Sequence, residues 1–213
     1  LILTNPPFGD TVKETDRDKL GSSNLGDYEL ARNRKTAKSE VLFIERSARF
    51  LRPRGRLGIV LPAGMLSNPT DRAVREFILN TFQIRAVITL PAYAFRKAGS
   101  GMKTSLLIAQ KWSEIQDRNA DYEIFMAIAD HIGYDSTARP DTNDLPGLAQ
   151  HYRSGTGTLD DKVIRVRRTD IMGSKRLDPL YHYLGPLIEQ AFTRIRYPIM
   201  TLRDIAGESI ESG

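Results

Sequence analysis

Residues 57–61 read Leu57-Gly58-Ile59-Val60-Leu61, an unbroken apolar run with Pro62 directly behind it. A run this short and uniform predicts a strand covered on both faces, the kind found in a parallel sheet, because a half-exposed strand would alternate apolar and polar residues. The preceding segment supports that reading. From Ser39, taken as the N-cap, Val41, Ile44, Ala48 and Leu51 recur at helical spacing, and Pro53 with Gly55 ends the helix. The following segment repeats the unit. Asn68-Pro69 places a capping side chain and a first-turn proline ahead of Asp71, Val74, Phe77, Ile78 and Phe82, which predicts a helix to about Thr81. Strands over 85–90, 103–111 and 123–129 come next, and the loop between the first two holds Pro91, Phe95 and Gly99-Ser100-Gly101. This alternation predicts an α/β fold, an open sheet with helices on both faces.

Working outward, Ile2-Leu3 closes a short buried strand that Asn5-Pro6-Pro7 stops. Residues 9–36 are polar, rich in Gly, Asp, Lys and Ser, and read as a long irregular insertion. Residues 131–161, with Pro140, Pro146 and four glycines, read as loop. Val163 to Arg168 alternates apolar residues with arginine, an edge-strand pattern. A helix is expected around Pro186 to Arg196, then an extended piece from Ile199 to Ile205. Residues 1–173 therefore read as one body and 174–213 as a linker or the start of another domain.

The chain has 213 residues, 40% hydrophobic and 27% charged, enough for a sizeable core. It has no cysteine, which excludes disulfides, thiolate metal sites and thiol chemistry. His131, His151 and His182 are far apart, without metal-ligand spacing. No apolar run approaches the roughly 20 residues of a membrane helix. Leu1-Ile2-Leu3-Thr4 lacks an initiator methionine and the pattern of a signal peptide, and a chain opening on half a strand reads as a fragment. The net charge is +5, from 31 basic and 26 acidic residues, with a pI near 9.5. That balance favours a polyanion partner. The basic residues cluster at Arg32, Arg34, Lys35 and Lys38, at Arg52, Arg54 and Arg56, and at Arg165, Arg167, Arg168, Lys175 and Arg176. Each cluster taken singly also reads as a solvated face.

Asn5-Pro6-Pro7-Phe8, immediately after the first strand, is the most informative motif. The two prolines fix the backbone and remove two donors, so the Asn5 amide and the Pro6 carbonyl can both face an external amino group. Phe8 adds a flat face for a planar ring. That is chemistry for holding an exocyclic NH₂ between two acceptors while its ring stacks. In an arbitrary loop the same letters would make only a rigid turn; the carboxyl end of a parallel strand is where open α/β sheets put their sites.

The chain resembles the catalytic half of the adenine-N6 DNA methyltransferases, the modification subunits of type I restriction systems and their fused methyltransferase-specificity relatives. Asn5-Pro6-Pro7-Phe8 is similar to the family's amino-methyltransferase motif. Lys38-Ser39-Glu40-Val41-Leu42-Phe43-Ile44-Glu45-Arg46 and Leu51 to Pro62 resemble its next helix and strand. Val87-Ile88-Thr89-Leu90-Pro91, Phe95, Lys103-Thr104-Ser105-Leu106-Leu107 and His131-Ile132-Gly133-Tyr134-Asp135 continue the series in order. The resemblance implies a Rossmann-like sheet of which this chain is the carboxyl-terminal half, with a helical tail. It implies S-adenosylmethionine as methyl donor, duplex DNA as substrate and a cytoplasmic protein. Asn5, Pro6, Pro7 and Phe8 become the catalytic residues, Asn5 also a cofactor contact, and Arg32, Arg34, Lys35, Lys38, Arg165 and Arg167 the DNA-binding ones.

The family's Phe-x-Gly-x-Gly-type loop and its ribose-binding acid precede the motif, and neither occurs in this sequence. Gly155-Thr156-Gly157 follows no strand and opens no helix, so it reads as loop. The 213 residues alone are therefore expected not to turn over, and to self-associate or take a partner supplying the missing amino-terminal half. The tail from Arg176 to Ile205 resembles the lead-in to a target-recognition domain, which implies a specificity subunit or a fused recognition domain. Two alternatives remain: a methyltransferase acting on another amino group (a protein glutamine or an rRNA base), or a non-catalytic binding or assembly piece. Pro140-Asp141 with Asp160-Asp161-Lys162 has the letters of a metal-dependent nuclease, but its turn composition argues against one, and no metal is expected. Trp112 reads as core or interface rather than as a stacking platform.

Overall fold

Helical and strand periods place most of the observed elements, and residues far apart in sequence decide the rest. The computed structural model describes residues 1–21, 23–96, 99, 101–113, 120–154 and 162–194. Gly155-Thr156-Gly157, Asp160-Asp161, residues 199–205 and the last residues of the helix expected over 186–196 lie outside the described residues.

The first strand is β1 (Ile2–Thr4). Residues 9–36, expected to be irregular, instead fold into a small unit. It holds β2 (Thr11–Lys13), the one-turn helix α1 (Arg17–Leu20), single 3₁₀ turns at Leu25–Asp27 and Glu29–Ala31, and β3 (Thr36–Lys38), antiparallel to β2. Val12, Leu20, Leu25, Tyr28, Ala31 and Ala37 bury themselves against Leu42 in a core of their own. Their spacing follows no single period, which is why the sequence shows no pattern there.

The central elements are α2 (Ser39–Phe50), β4 (Arg56–Pro62), α3 (Arg72–Thr81), β5 (Phe82–Thr89), β6 (Thr104–Lys111) and β7 (Glu123–Ile128). Three boundaries differ from expectation. Lys38 is the N-cap of α2, and the Ser39 hydroxyl leaves the helix to bond the Pro7 carbonyl. Phe82 opens β5 rather than closing α3. Residues 131–161, expected as loop, contain the hairpin β8 (Ile132–Tyr134) and β9 (Pro140–Asn143) and the helix α4 (Leu145–Ser154). The expected edge strand is β10 (Val163–Arg167), followed by α5 (Arg168–Ser174). The last helix, α6 (Pro179–Thr193), starts earlier than expected, because Asp178-Pro179 supplies the N-cap and first-turn proline.

Six strands form one sheet in the order β1-β4-β6-β5-β7-β10. β1 pairs parallel with β4 and β5 parallel with β7, while β6 runs antiparallel to both its neighbours and β10 antiparallel to β7. The run at 57–61 lies inside a mixed sheet: Leu57, Ile59 and Leu61 are buried toward the helices, whereas Val60 on the other face is half-buried, short of the full two-face burial expected. Among the described residues no helix separates β5 from β6, in keeping with the antiparallel pairing of the two. Opposite β1, Gly58 lies under Leu3: a Cβ there would stand 2.7 Å from Leu3 Cδ2, so the exposed leucine side chain would have to turn aside.

Side-chain parity divides the core. Leu57, Ile59, Leu61, Leu107, Ala109, Ile124 and Met126 face α2 and α3, meeting Val41, Ile44, Val74 and Ile78. Ala86, Ile88, Phe125 and Ala127 face the other way, toward Leu148 of α4. Phe82 and Ile84 share the first face with Val87, a change from even to odd positions. The pairing of β5 with β6 shifts between Ile84 and Ala86, a bulge that leaves Arg85 exposed and reverses the faces beyond it. Trp112 is in the core, edge-on to Tyr122 at 5.8 Å. Buried Arg75 of α3 ties the segment after α5 to the connection between β4 and α3: it donates to the carbonyls of Lys175, Met65 and Asn68, and its desolvation lowers its pKa.

Candidate functional site

Asn5-Pro6-Pro7-Phe8 leaves the carboxyl end of β1, where Thr4 is in register with Ile59 of β4. Neither proline has a backbone donor, so the turn cannot continue the ladder. Pro6 is buried, Asn5 and Pro7 are exposed and Phe8 is half-buried. The first turn of α2 grips this loop. Ser39 Oγ donates to the Pro7 carbonyl at 2.7 Å, the Ser39 amide donates to the Asp10 carbonyl at 2.9 Å, and the Gly9 amide donates to Glu40 Oε1 at 2.8 Å. Gly9 has φ +72°, a left-handed conformation that suits glycine. Among the described residues, nothing bonds the Asn5 side chain or the Pro6 carbonyl. The two acceptors expected to face an amino group are unused.

A second aromatic ring comes from the loop after β5. Phe95 meets Phe8 edge-on, with centroids 5.7 Å apart and planes at 75°. The β8–β9 hairpin holds that loop: Tyr134 Oη donates to the Ala94 carbonyl at 2.6 Å, and Tyr93 Oη to the Asp130 carbonyl at 2.8 Å. The two tyrosine rings are themselves edge-on at 6.3 Å. Desolvation, then the charges of Asp141 and Asp144, push the Tyr93 phenol up, which keeps it a donor. Asp144 Oδ2 accepts the amides of Asp130 and His131, both at 2.9 Å, and so anchors the hairpin to the end of β7.

Two cavities flank the insertion. One, of about 800 Å³ and mostly apolar, lies between β1 and α2 and is lined by Ile2, Thr4, Pro7, Tyr28, Phe43 and Phe50 among others. The other, of about 650 Å³, is polar and lined by Arg32, Arg34, Phe77, Asn80, Lys111 and Trp112 among others.

The expected basic residues separate. Lys38 adjoins the motif through Ser39, and its ammonium is 3.5 Å from Asp71. Arg32, Arg34 and Lys35 are exposed on the insertion, the two arginines beside the polar cavity. Arg165 and Arg167 sit on β10, five strands away from β1, or roughly 24 Å at the usual strand spacing. There they face Glu123 at 4.0 Å and Asp121 at 3.4 Å. Asp141 is bonded to His131 at 3.2 Å in the exposed hairpin, Lys162 is paired with Asp130, and the described residues contain no group of three metal-ligating side chains. Ser39 and Glu40 were not read as part of the site, since their contacts with it cross about 30 residues. No local signal marks them.

A family model described as N-6 DNA methylase matches residues 1–140. Among solved structures, the chain is similar to a modification subunit assigned to a type I restriction enzyme from Vibrio vulnificus YJ016, at TM-score 0.61 and 20% identity over 87% of this chain and 39% of that one. It is similar to the type I restriction-modification methyltransferase subunit from Streptococcus thermophilus, at TM-score 0.56 and 19% identity over 84% and 36%. It is also similar to a protein from Listeria monocytogenes described as a class I S-adenosylmethionine-dependent methyltransferase, at TM-score 0.51 and 22% identity over 71% and 41%. These likenesses are of fold, and the chain spans about two fifths of the length of those structures. No curated protein matches it. No helix among the described residues is long and apolar enough to cross a membrane.

Proposed function

The chain belongs to the N-6 DNA methylase family, and on that premise we propose that Asn5-Pro6-Pro7-Phe8 holds the amino group of an adenine flipped out of duplex DNA for methylation at N6. The observation that carries this is the pair of acceptors, Asn5 and the Pro6 carbonyl, with no hydrogen-bond partner among the described residues, beside a half-buried Phe8 at the carboxyl end of β1. Phe8 stacks on the adenine, and Phe95 closes on the edge of Phe8. The Asn5 side-chain oxygen and the Pro6 carbonyl accept the two amino hydrogens. This draws the nitrogen toward a tetrahedral shape and aims its lone pair. No protein nucleophile is needed, and positioning with electrostatics supplies the catalysis.

The proposed donor is S-adenosylmethionine, whose sulfonium supplies an electrophilic methyl group. We place one wall for it at Thr4 and Asn5, at the end of β1, where Thr4 also lines the apolar cavity. With no glycine loop or ribose acid in the sequence, these residues fit the donor from one side only. Further contacts must come from a segment lying against β1, either the amino-terminal part of a longer chain or a second copy. The +5 charge suits weak, salt-dependent contact with duplex DNA, with sequence choice left to a specificity subunit or a fused recognition domain.

The test is methyl transfer by the full-length protein to duplex DNA, with the product identified by sequencing. N6-methyladenine is expected. A product methylated on a ring carbon, such as 5-methylcytosine, overturns the assignment.

A further inference from the structure

Two buried glutamates of α2 differ in how they are satisfied. Glu45 uses both oxygens: Oε1 accepts the Glu29 amide at 2.7 Å and Arg49 at 2.5 Å, and Oε2 accepts the Leu30 amide at 3.0 Å. It is explained by the insertion it holds. Glu40, 1% exposed, uses only Oε1; its Oε2 is buried with no hydrogen-bond partner among the described residues. A buried carboxylate with an idle oxygen is a poor device for stability, since an apolar side chain would fill the space without desolvating a charge. Its place in the first turn of α2, near the positive end of the helix dipole, offsets part of that cost.

What Glu40 does is take the Gly9 amide, which belongs to the peptide after Phe8. Ser39 Oγ takes the carbonyl of the peptide before Phe8. Consecutive residues of one rigid helix therefore hold both peptide groups flanking one ring, and Phe8 has its backbone fixed on either side. Phe95 meets the ring from beyond.

We infer that Glu40 is a positioning residue for Phe8: through the Gly9 amide, and together with Ser39, it sets the plane on which the flipped base stacks. The inference rests on the methyltransferase reading above. Its effect is expected on the reacting geometry rather than on binding, because Glu40 bonds the Gly9 amide and neither Asn5 nor the Pro6 carbonyl.

The experiment compares Glu40→Ala, Glu40→Gln and Ser39→Ala in the full-length protein. It measures kcat and KM for methyl transfer to duplex DNA, and hydrogen exchange in the peptide spanning residues 5–10. Glu40→Ala should lower kcat by at least about tenfold while both KM values stay within roughly threefold, and should speed exchange at Gly9. Glu40→Gln, which keeps the acceptor and removes the charge, should restore both. Wild-type kcat in Glu40→Ala, or a loss that Glu40→Gln does not restore, overturns the assignment. Should Glu40→Ala fail to fold, Ser39→Ala decides: lower kcat at unchanged KM supports the two-residue grip, and wild-type kcat removes it. A wild-type protein that methylates no duplex refutes the functional reading instead. Exchange at residues 8–10 then decides the Glu40 contact by itself, and equal protection in Glu40→Ala and wild type overturns it.

Discussion

At one edge of the central sheet, β10 points Arg165 and Arg167 outward and answers them with Glu123 and Asp121. At the other, β1 leaves Leu1 and Leu3 at 82% and 75% exposed, with exposed Phe43 and Phe50 of α2 across the apolar cavity. Charges on an edge strand discourage another strand from adding to it, whereas bare backbone flanked by apolar side chains invites one. Among the described residues, the β10 edge carries paired charges and the β1 edge exposes apolar side chains. The motif leaves the sheet from the second kind of edge. A segment that completes the sheet at β1 would therefore also wall the site.

The largest effect is expected at the motif. Asn5→Ala should reduce methyl transfer by the full-length protein at least about 100-fold, in the range of losing one electrostatic stabiliser of a transition state. Asn5 is exposed and bonded to nothing described, so its melting temperature should not move. Phe8→Trp should retain more activity than Phe8→Ala, because stacking survives. A kinetic comparison of the three breaks the proposal if Asn5→Ala remains active.

The edges themselves come next. Leu3→Lys places a charge on the β1 edge, of the sort β10 already has. If that edge drives self-association, light scattering should show the 213-residue chain shifting toward monomer with Leu3→Lys and not with Arg165→Ala. The same response to both changes would erase the distinction between the edges.

Basic residues give a smaller contrast. In duplex titrations at several salt concentrations, Lys38→Ala should weaken binding and lower the salt slope by about one, as expected for one lost phosphate contact. Arg165 and Arg167 are at the far edge of the sheet from the motif, so changing them should do less. An equal or larger effect would put β10 on the DNA path.

Smallest is the prop under Phe95. Tyr134→Phe removes the donor to the Ala94 carbonyl and should cost about 1 kcal/mol of stability, read from denaturant unfolding. No change at all would mean that another group holds the Phe95 loop.

The helices beginning at Ser39 and Arg72 were legible as local periods, and the strands through 57–61, 104–111 and 124–127 as short apolar runs. The motif Asn5 to Phe8 could be picked out because four adjacent residues carry the proposed acceptors, the rigidity and the ring. Tertiary structure alone decided the antiparallel direction of β6 and the bulge at Arg85 that reverses the faces of β5. It also decided the separate core under Val12, Leu25 and Tyr28, whose partners follow no period. It scattered basic residues that look like one set, because strand order rather than sequence order puts Lys38 beside the motif and Arg167 at the far edge. It brought Ser39 and Glu40 onto the loop around Phe8, and Phe95 onto its ring. A hydrophobic period records what one segment buries, whereas a hydrogen bond spanning about 30 residues exists only after both segments have packed on the same sheet.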